Sequence, residues 1–163
     1  MLSKEAPDAL FVRLKSMVIA ELKPEDHALW KPLWRDYLAF YKTELPEATY
    51  ALTFARLTDP AEPMGGFIAR GDDGAAFGIV HWMDHRSCWT PGDYCYLQDL
   101  FVAEAARGTG VGRALIDTVD AAARRRGCSR IYWLTYETNA KAQSLYDSVA
   151  ARSGFIQYVR KFA

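Results

Sequence analysis

A chain of 163 residues, half of them hydrophobic and a quarter charged, is long enough to bury a core and too apolar to be a disordered segment. Twenty basic side chains balance twenty acidic ones, which excludes a global field drawing the protein onto a nucleic-acid backbone or an anionic membrane. Three cysteines, Cys88, Cys95 and Cys128, lack paired metal-type or redox-type spacing, which excludes a disulfide framework and leads us to expect a reducing, cytoplasmic setting.

The start from Met1 to Asp8 has no basic region followed by an apolar core, and no apolar run approaches the roughly 18 residues that span a bilayer. The chain therefore reads as soluble and unexported, with residues 1–163 forming one domain. Met17 to Leu22 is a β-rich run, and Pro24 suits the first turn of a following helix. From Asp26 to Tyr41 the residues Leu29, Trp30, Leu33, Trp34, Tyr37, Leu38 and Tyr41 recur at helical spacing, with Pro32 predicting a break into two short helices. Thr53 to Leu57, Gly66 to Ala69 and Ala76 to Met83 read as strands of an antiparallel meander, the last two joined by a turn at Gly71-Asp72-Asp73-Gly74. A loop from Ser87 to Asp93 precedes a long strand, Tyr94 to Val102. Val111, Leu115, Val119 and Ala122 mark a helix from Val111 to Arg126, closed by basic residues before Gly127. Arg130 to Thr135 reads as a strand, Asn139 to about Arg152 as a helix, and Phe155 to Arg160 as a final strand.

Between the long strand and the helix that begins at Val111 lies the stretch Arg107-Gly108-Thr109-Gly110-Val111-Gly112-Arg113. Glycines let backbone N–H groups approach an anion closely, and the helix dipole adds partial positive charge at the same point. Helix first turns usually carry Asp or Glu, yet this one has no acid and an arginine at each end, an arrangement that calls for a bound anion. The alternative is a glycine-rich connection of no functional meaning. The spacing fits neither the dinucleotide fingerprint, whose third glycine would fall on Arg113 or Leu115, nor a phosphate loop closed by Gly-Lys-Ser/Thr.

Arg107-Gly108-Thr109-Gly110-Val111-Gly112, following the strand Tyr96-Leu97-Gln98-Asp99-Leu100-Phe101-Val102, resembles the pyrophosphate loop Arg/Gln-x-x-Gly-x-Gly/Ala of the GNAT acetyltransferases. Asn139-Ala140-Lys141-Ala142-Gln143-Ser144-Leu145-Tyr146 resembles that family's second cofactor-binding segment, and Gly154-Phe155 its closing Gly-Phe. The strand is most similar to the polyamine and yeast amine and histone acetyltransferase subgroup. The resemblance covers roughly the last 70 residues. It implies an α/β fold of the α+β kind, with a mixed, largely antiparallel sheet of six to seven strands flanked by about four helices. It also implies acetyl-coenzyme A as cofactor and direct transfer to a primary amine, on a small cationic molecule or a peptide lysine, in a ternary complex. Leu100, Phe101 and Val102 would line the pantetheine arm, the backbone and side chains of Arg107, Gly108, Thr109, Gly110, Val111, Gly112 and Arg113 would hold the pyrophosphate, and Asn139, Ala142 and Tyr146 would lie near the cofactor.

Amine acetylation needs a neutral nucleophile, a polarised thioester carbonyl and a proton for the departing thiolate, and it requires no metal. Tyr146 matches the family tyrosine beside the thioester sulfur, where its phenol would serve as the acid; alternatively it packs in the apolar stripe of Ala142, Leu145 and Val149. Gln98 stands where polyamine-type enzymes have a glutamate base, and glutamine cannot take a proton. Asp99 is the nearest remaining carboxylate. Strand alternation groups it with Cys95, Leu97 and Phe101, apolar company that would raise its pKa. It would accept the ammonium proton, bind the ammonium electrostatically, or make a structural hydrogen bond. Asp84, Asp93 and Glu104 would add negative field or be solvated surface, and the aromatics Trp30, Trp34, Tyr37, Tyr41, Trp82, Trp89, Tyr94 and Tyr96 suit a cation or, for most of them, simply the core. His81, Asp84, His85 and Cys88 imitate a metal cluster, but a strand running into a loop does not place them on one face.

Seven residues separate Tyr146 from Gly154, which predicts a last helix about one turn longer than the family's. A homodimer through the strand from Phe155 onward is expected. The competing readings are a non-catalytic acyl-CoA-binding sensor, favoured by Gln98, and a nucleotide-binding regulator, weakened by the failed phosphate motifs.

Overall fold

The computed structural model describes residues 17–162. The reading of Met1 to Asp8 lies outside the described residues. The chain divides into two compact units, one ending at Trp133 and the other beginning at Leu134, and each is described by itself.

In the first unit β1 spans Met17–Glu21, β2 Met64–Gly71, β3 Ala76–His85, β4 Tyr94–Val102 and β5 Arg130–Tyr132. The first four form an antiparallel meander, and β5 joins the far side of β4 in parallel, giving a five-stranded mixed sheet in chain order. Helix α1 spans His27–Phe40, α2 Glu47–Leu57 and α3 Val111–Arg125. These elements match the expected class, with five strands rather than six or seven.

Three local expectations are corrected. Pro32 does not split α1, which runs continuously through it. The carbonyl that loses its partner belongs to Ala28, which is exposed, so water replaces the missing bond and the kink penalty is softened. Thr53 to Leu57 is the last turn of α2, not a strand. Its β-branched and aromatic composition is overridden by the burial of Tyr50, Phe54 and Leu57 at helical spacing. The third correction concerns β5, which stops at Tyr132, three residues short of the predicted end.

Trp30, Leu33, Trp34 and Leu38 of α1 and Tyr50, Phe54 and Leu57 of α2 pack with Leu22 of the first connection, Ile68 of β2 and Ile79 of β3. Burying each such side chain contributes about 1.5–3 kcal/mol. On the other face α3 presents Val111, Leu115 and Val119, all essentially buried. Gly78 of β3 admits this helix, since a Cβ there would meet the Phe101 carbonyl oxygen at 2.7 Å and Leu115 Cδ1 at 3.2 Å.

The strand pairing carries one irregularity that decides the site. His81 lies opposite Asp99 and Trp82 opposite Leu97, so Gln98 is an extra residue in β4, a β-bulge. Alternation is reset there. Leu97 and Asp99 therefore face opposite sides of the sheet although they are two residues apart.

In the second unit α4 spans Ala140–Tyr146, followed by turns as far as Ala150. The predicted extension of this helix to about Arg152 does not form, and residues 150–162 adopt no regular element, so the final strand from Phe155 is absent among the described residues. A strand needs a neighbour to accept its ladder, and this segment, almost wholly exposed, has none.

Candidate functional site

The glycine turn has the geometry of an anion cradle. Gly108 and Gly110 take positive φ values of 77° and 92°, conformations natural to glycine, and open space surrounds the point where each Cβ would lie. Gly110 is the N-cap of α3, so no side chain caps the helix and no acid stands in its first turn. The first N–H groups of a 15-residue helix thus point outward without an intrahelical partner. Val111 contributes only its backbone, because its side chain is buried in the core. Thr109 is turned back, its hydroxyl donating to the Ala106 carbonyl at 2.6 Å. Arg107 donates from Nε to the Val102 carbonyl at 3.0 Å, which ties the loop to the end of β4. Gly112 and Arg113 complete the first turn, with Arg113 exposed. The residues present fit a pyrophosphate.

Beside this cradle β4 has a free edge. Its ladder to β5 covers only Tyr94, Tyr96 and the residue between, so from Leu97 to Val102 no described strand pairs that side. Leu100, Phe101 and Val102 are half-buried along it. An extended arm with amide groups would find alternating backbone donors and acceptors there.

Asp99 is the buried carboxylate of the site, 9% exposed. The bulge turns it toward α1, which corrects the grouping with Cys95 and Leu97: Cys95 faces the end of α3, its sulfur 3.6 Å from an Arg126 nitrogen. Asp99 instead accepts from His81 Nδ1 at 2.9 Å and Trp34 Nε1 at 3.2 Å, both at Oδ2, and from the Tyr37 hydroxyl. Burial works to raise its pKa, but the hydrogen bond from His81, the attraction of that ring when it is protonated, and the hydrogen bonds from Tyr37 and Trp34 outweigh it and hold the carboxyl below the ordinary aspartate range. The expectation of a raised value is therefore overturned. Burial, then the charge of Asp99 and the hydrogen bond to it, pushes the Tyr37 phenol far up. Burial and the same charge raise the Tyr96 phenol. Tyr96 stacks on Tyr132 with ring centroids 5.1 Å apart, and Tyr37 meets Tyr41 at 5.0 Å. Asp99 is thus a negative charge framed by aromatic rings, a setting that attracts cations.

The sequence reading missed the partners of Asp99. Trp34 and Tyr37 appeared there in the helical stripe and among candidate aromatics, and His81 only in the imitation metal cluster. Their signal was the stripe Trp30, Trp34, Tyr37 on one helix face, legible once the register of β3 and β4 is known. The cluster itself disperses: His81 turns to Asp99, His85 to the Tyr132 hydroxyl at 2.8 Å, and Asp84 to Arg126 at 2.6 Å on the opposite face. Asp84 and Asp93 are both engaged by arginines, Asp93 by Arg86 at 3.1 Å, while Glu104 is exposed in the turn after β4.

In the second unit Asn139 caps α4, its side-chain oxygen accepting from the Ala142 N–H at 3.3 Å. Ala142 and Tyr146 are half-buried, Tyr146 being the last residue of the helix. Asn139 is thereby given a structural role that the sequence reading did not assign.

Residues 29–150 match the acetyltransferase (GNAT) family. The D-amino-acid N-acetyltransferase HPA3 of Saccharomyces cerevisiae is 37% identical over 145 residues, covering 88% of this chain and 90% of the yeast protein. The thialysine N-epsilon-acetyltransferase of Sus scrofa is 32% identical over 96 residues, 59% of this chain and 51% of that protein. Among solved structures, the ribosomal-protein-alanine N-acetyltransferase of Brucella melitensis biovar Abortus superposes with a TM-score of 0.75 at 24% identity, covering 91% of this chain and 100% of that one. The aminoglycoside N-acetyltransferase AAC(6')-Iy, bound to a coenzyme A bisubstrate analogue, gives 0.79 at 20% identity, covering 91% and 99%.

Proposed function

The chain belongs to the GNAT family and is an acetyl-coenzyme A-dependent N-acetyltransferase, and from that premise we propose that it acetylates the primary amine of a small cationic acceptor such as a free amino acid or polyamine. The family match, residues 29–150, includes residues on both sides of Trp133, which supports the reading of the chain as one catalytic domain. The observation that carries the acceptor class is Asp99, a buried carboxylate framed by Tyr37 and Tyr96. The yeast relative, matched along 88% of this chain, bears a name that specifies free amino acids and so favours a small acceptor over a peptide lysine.

The bound cofactor supplies the acetyl thioester. The backbone from Gly108 to Arg113 and the side chains of Arg107 and Arg113 hold its pyrophosphate, and the free edge at Leu100, Phe101 and Val102 aligns the arm. Of the roles open to Asp99, its hydrogen bonding favours one. A carboxylate that already takes three donors, and is held below its ordinary pKa, is a poor proton acceptor and a good anchor for an ammonium group. Gln98, exposed in the bulge, has no titratable group, so the ammonium proton passes to water. Tyr146 donates a proton to the leaving thiolate on the strength of its motif, with Asn139 and Ala142 shaping the helix that carries it. Three free thiols accord with a reducing, cytoplasmic setting.

Incubating the protein with acetyl-coenzyme A and a panel of D- and L-amino acids, thialysine, polyamines and a lysine peptide, with detection of released thiol, tests this reading. Turnover confined to small amines is expected. Coenzyme A binding without turnover on any amine would instead establish the sensor reading that Gln98 favours. The segment from Phe155 to Phe162 bears Phe155, Ile156, Tyr158, Val159 and Phe162, each at least 69% exposed, and we assign it to a second copy of the chain as an added strand. A dimeric mass that becomes monomeric when residues 155–163 are removed is expected; a monomer at micromolar concentration refutes the assignment.

A further inference from the structure

Behind Asp99 runs a buried chain of hydrogen bonds with a fixed direction. Trp30 is fully buried and donates from Nε1 to His81 Nε2 at 2.8 Å. Tryptophan only donates, so Nε2 must accept, and the single ring proton of His81 is confined to Nδ1, where it is donated to Asp99 at 2.9 Å. A histidine carrying both protons would set an N–H against the Trp30 N–H. From this geometry we propose that Trp30 is a positioning residue for the acceptor site: it keeps His81 uncharged, so that the negative charge of Asp99 stays available to the substrate ammonium.

The argument rests on the reading of Asp99 as the ammonium anchor. Without the Trp30 donor, His81 gains room for a second proton, and His81 with two protons would form an ion pair with Asp99 that cancels the charge the substrate must find. His81 is 2% exposed, so water is a poor replacement for the lost donor. The titratable groups facing the assembly are Tyr96 from β4, His27 and Tyr37 from α1, Tyr41 just beyond the end of α1, and Tyr50 from α2. Beside the ring on β2 stands Gly66, where a Cβ would lie 3.2 Å from His81 Cδ2. No lysine or arginine is among these groups, so His81 is the side chain in direct contact with Asp99 that can become a cation.

Trp30→Phe removes the donor and keeps a ring in the stack with Trp34 and Phe54. Amine KM is measured for wild type and variant from about pH 8 to pH 5, the interval in which histidine titrates, and expressed as a ratio at each pH to cancel titration of the substrate itself. The ratio is expected to rise about tenfold to a hundredfold toward the acid end, the loss associated with neutralising one charge-assisted contact. Saturating turnover should change far less. His81→Asn keeps a donor near the Nδ1 position but cannot become charged, so Trp30→Phe combined with His81→Asn should show a flat ratio, which also controls for His27. A pH-independent ratio in Trp30→Phe overturns the inference, because it is what a loosened core alone would give. Should Trp30→Phe fail to fold, nitrogen-15 histidine spectra of the wild-type protein decide: a pyridine-type Nε2 and pyrrole-type Nδ1 maintained over the same interval support the proposal, and the reverse tautomer or a doubly protonated ring overturns it. An amine KM unaffected by Asp99→Asn sinks the anchor reading itself, whereas a large effect there with a flat Trp30→Phe ratio sinks only the role of Trp30.

Discussion

Replacing Asp99 with asparagine removes the charge of the acceptor site while keeping its shape. The asparagine carbonyl takes the place of Oδ2, where the His81 and Trp34 N–H groups converge, and the Tyr37 hydroxyl rotates to meet the amide. Each of the three hydrogen bonds changes from charge-assisted to neutral, a loss of about 1 kcal/mol apiece, or about 3 kcal/mol together. Relief from burying a charge offsets part of this, leaving a net destabilisation of about 1–3 kcal/mol. The loss must depend on pH. A carboxyl whose folded pKa is depressed contributes stability that is fully present above its unfolded value, about 3.9, and lost as pH falls through the folded value. Wild type and Asp99→Asn should therefore differ near neutrality and converge in acid below about pH 4. Thermal or denaturant unfolding at a series of pH values measures this, and amine KM near neutrality should rise about tenfold to a hundredfold in parallel. A stability difference that persists unchanged into acid would refute the assignment of Asp99 as a buried anion, whatever the kinetics showed.

Gly110→Asp with Arg113→Glu places two carboxylates at the helix start and should abolish acetyl-coenzyme A binding by calorimetry, while Gly110→Ala should cost only the left-handed strain, about 1–2 kcal/mol, because its Cβ meets open space. Tyr146→Phe should leave stability and cofactor affinity near wild type and lower the chemical rate constant by about 10²–10⁴; full turnover under chemistry-limited conditions removes the phenol from the mechanism. Gly78→Ala should destabilise by about 1–3 kcal/mol in denaturant unfolding, because the Phe101 carbonyl oxygen, a backbone atom, cannot yield to the added methyl.

The glycine turn, β4 and α3 were legible in the sequence because each is specified by signals within a few residues of itself. Gly110 needs a left-handed φ, and the apolar residues of α3 repeat every three or four positions from Val111 onward. What failed depended on neighbours. Thr53 to Leu57 has strand-like composition, and only the pocket that receives Tyr50, Phe54 and Leu57 makes it helical. Phe155 to Arg160 has a strand's pattern and no partner to bond to. The environment of Asp99 was misread for a related reason. Alternation counted along β4 alone assigns it the company of Cys95 and Leu97, and nothing local to Gln98 marks it as an inserted residue.

That insertion explains how one strand serves two faces of the sheet. Before the bulge, β4 turns Cys95 toward Arg126 at the end of α3, where Arg126 also pairs with Asp84 and lies 3.7 Å above the Trp82 ring. Were Gln98 a regular ladder residue instead of a bulge, Asp99 would point to that same face, adding a second carboxylate to the one that already engages Arg126 and leaving the N–H groups of Trp34 and His81 without an acceptor. Two like charges and two unsatisfied buried donors would each disfavour such an arrangement by more than about 1 kcal/mol. The bulge removes both penalties at the cost of one interrupted ladder position, filled by the exposed Gln98. The residue in the position of the family's glutamate is thus the one that the bulge takes out of the ladder, and Asp99 thereby keeps its place opposite His81 on the aromatic side of the sheet.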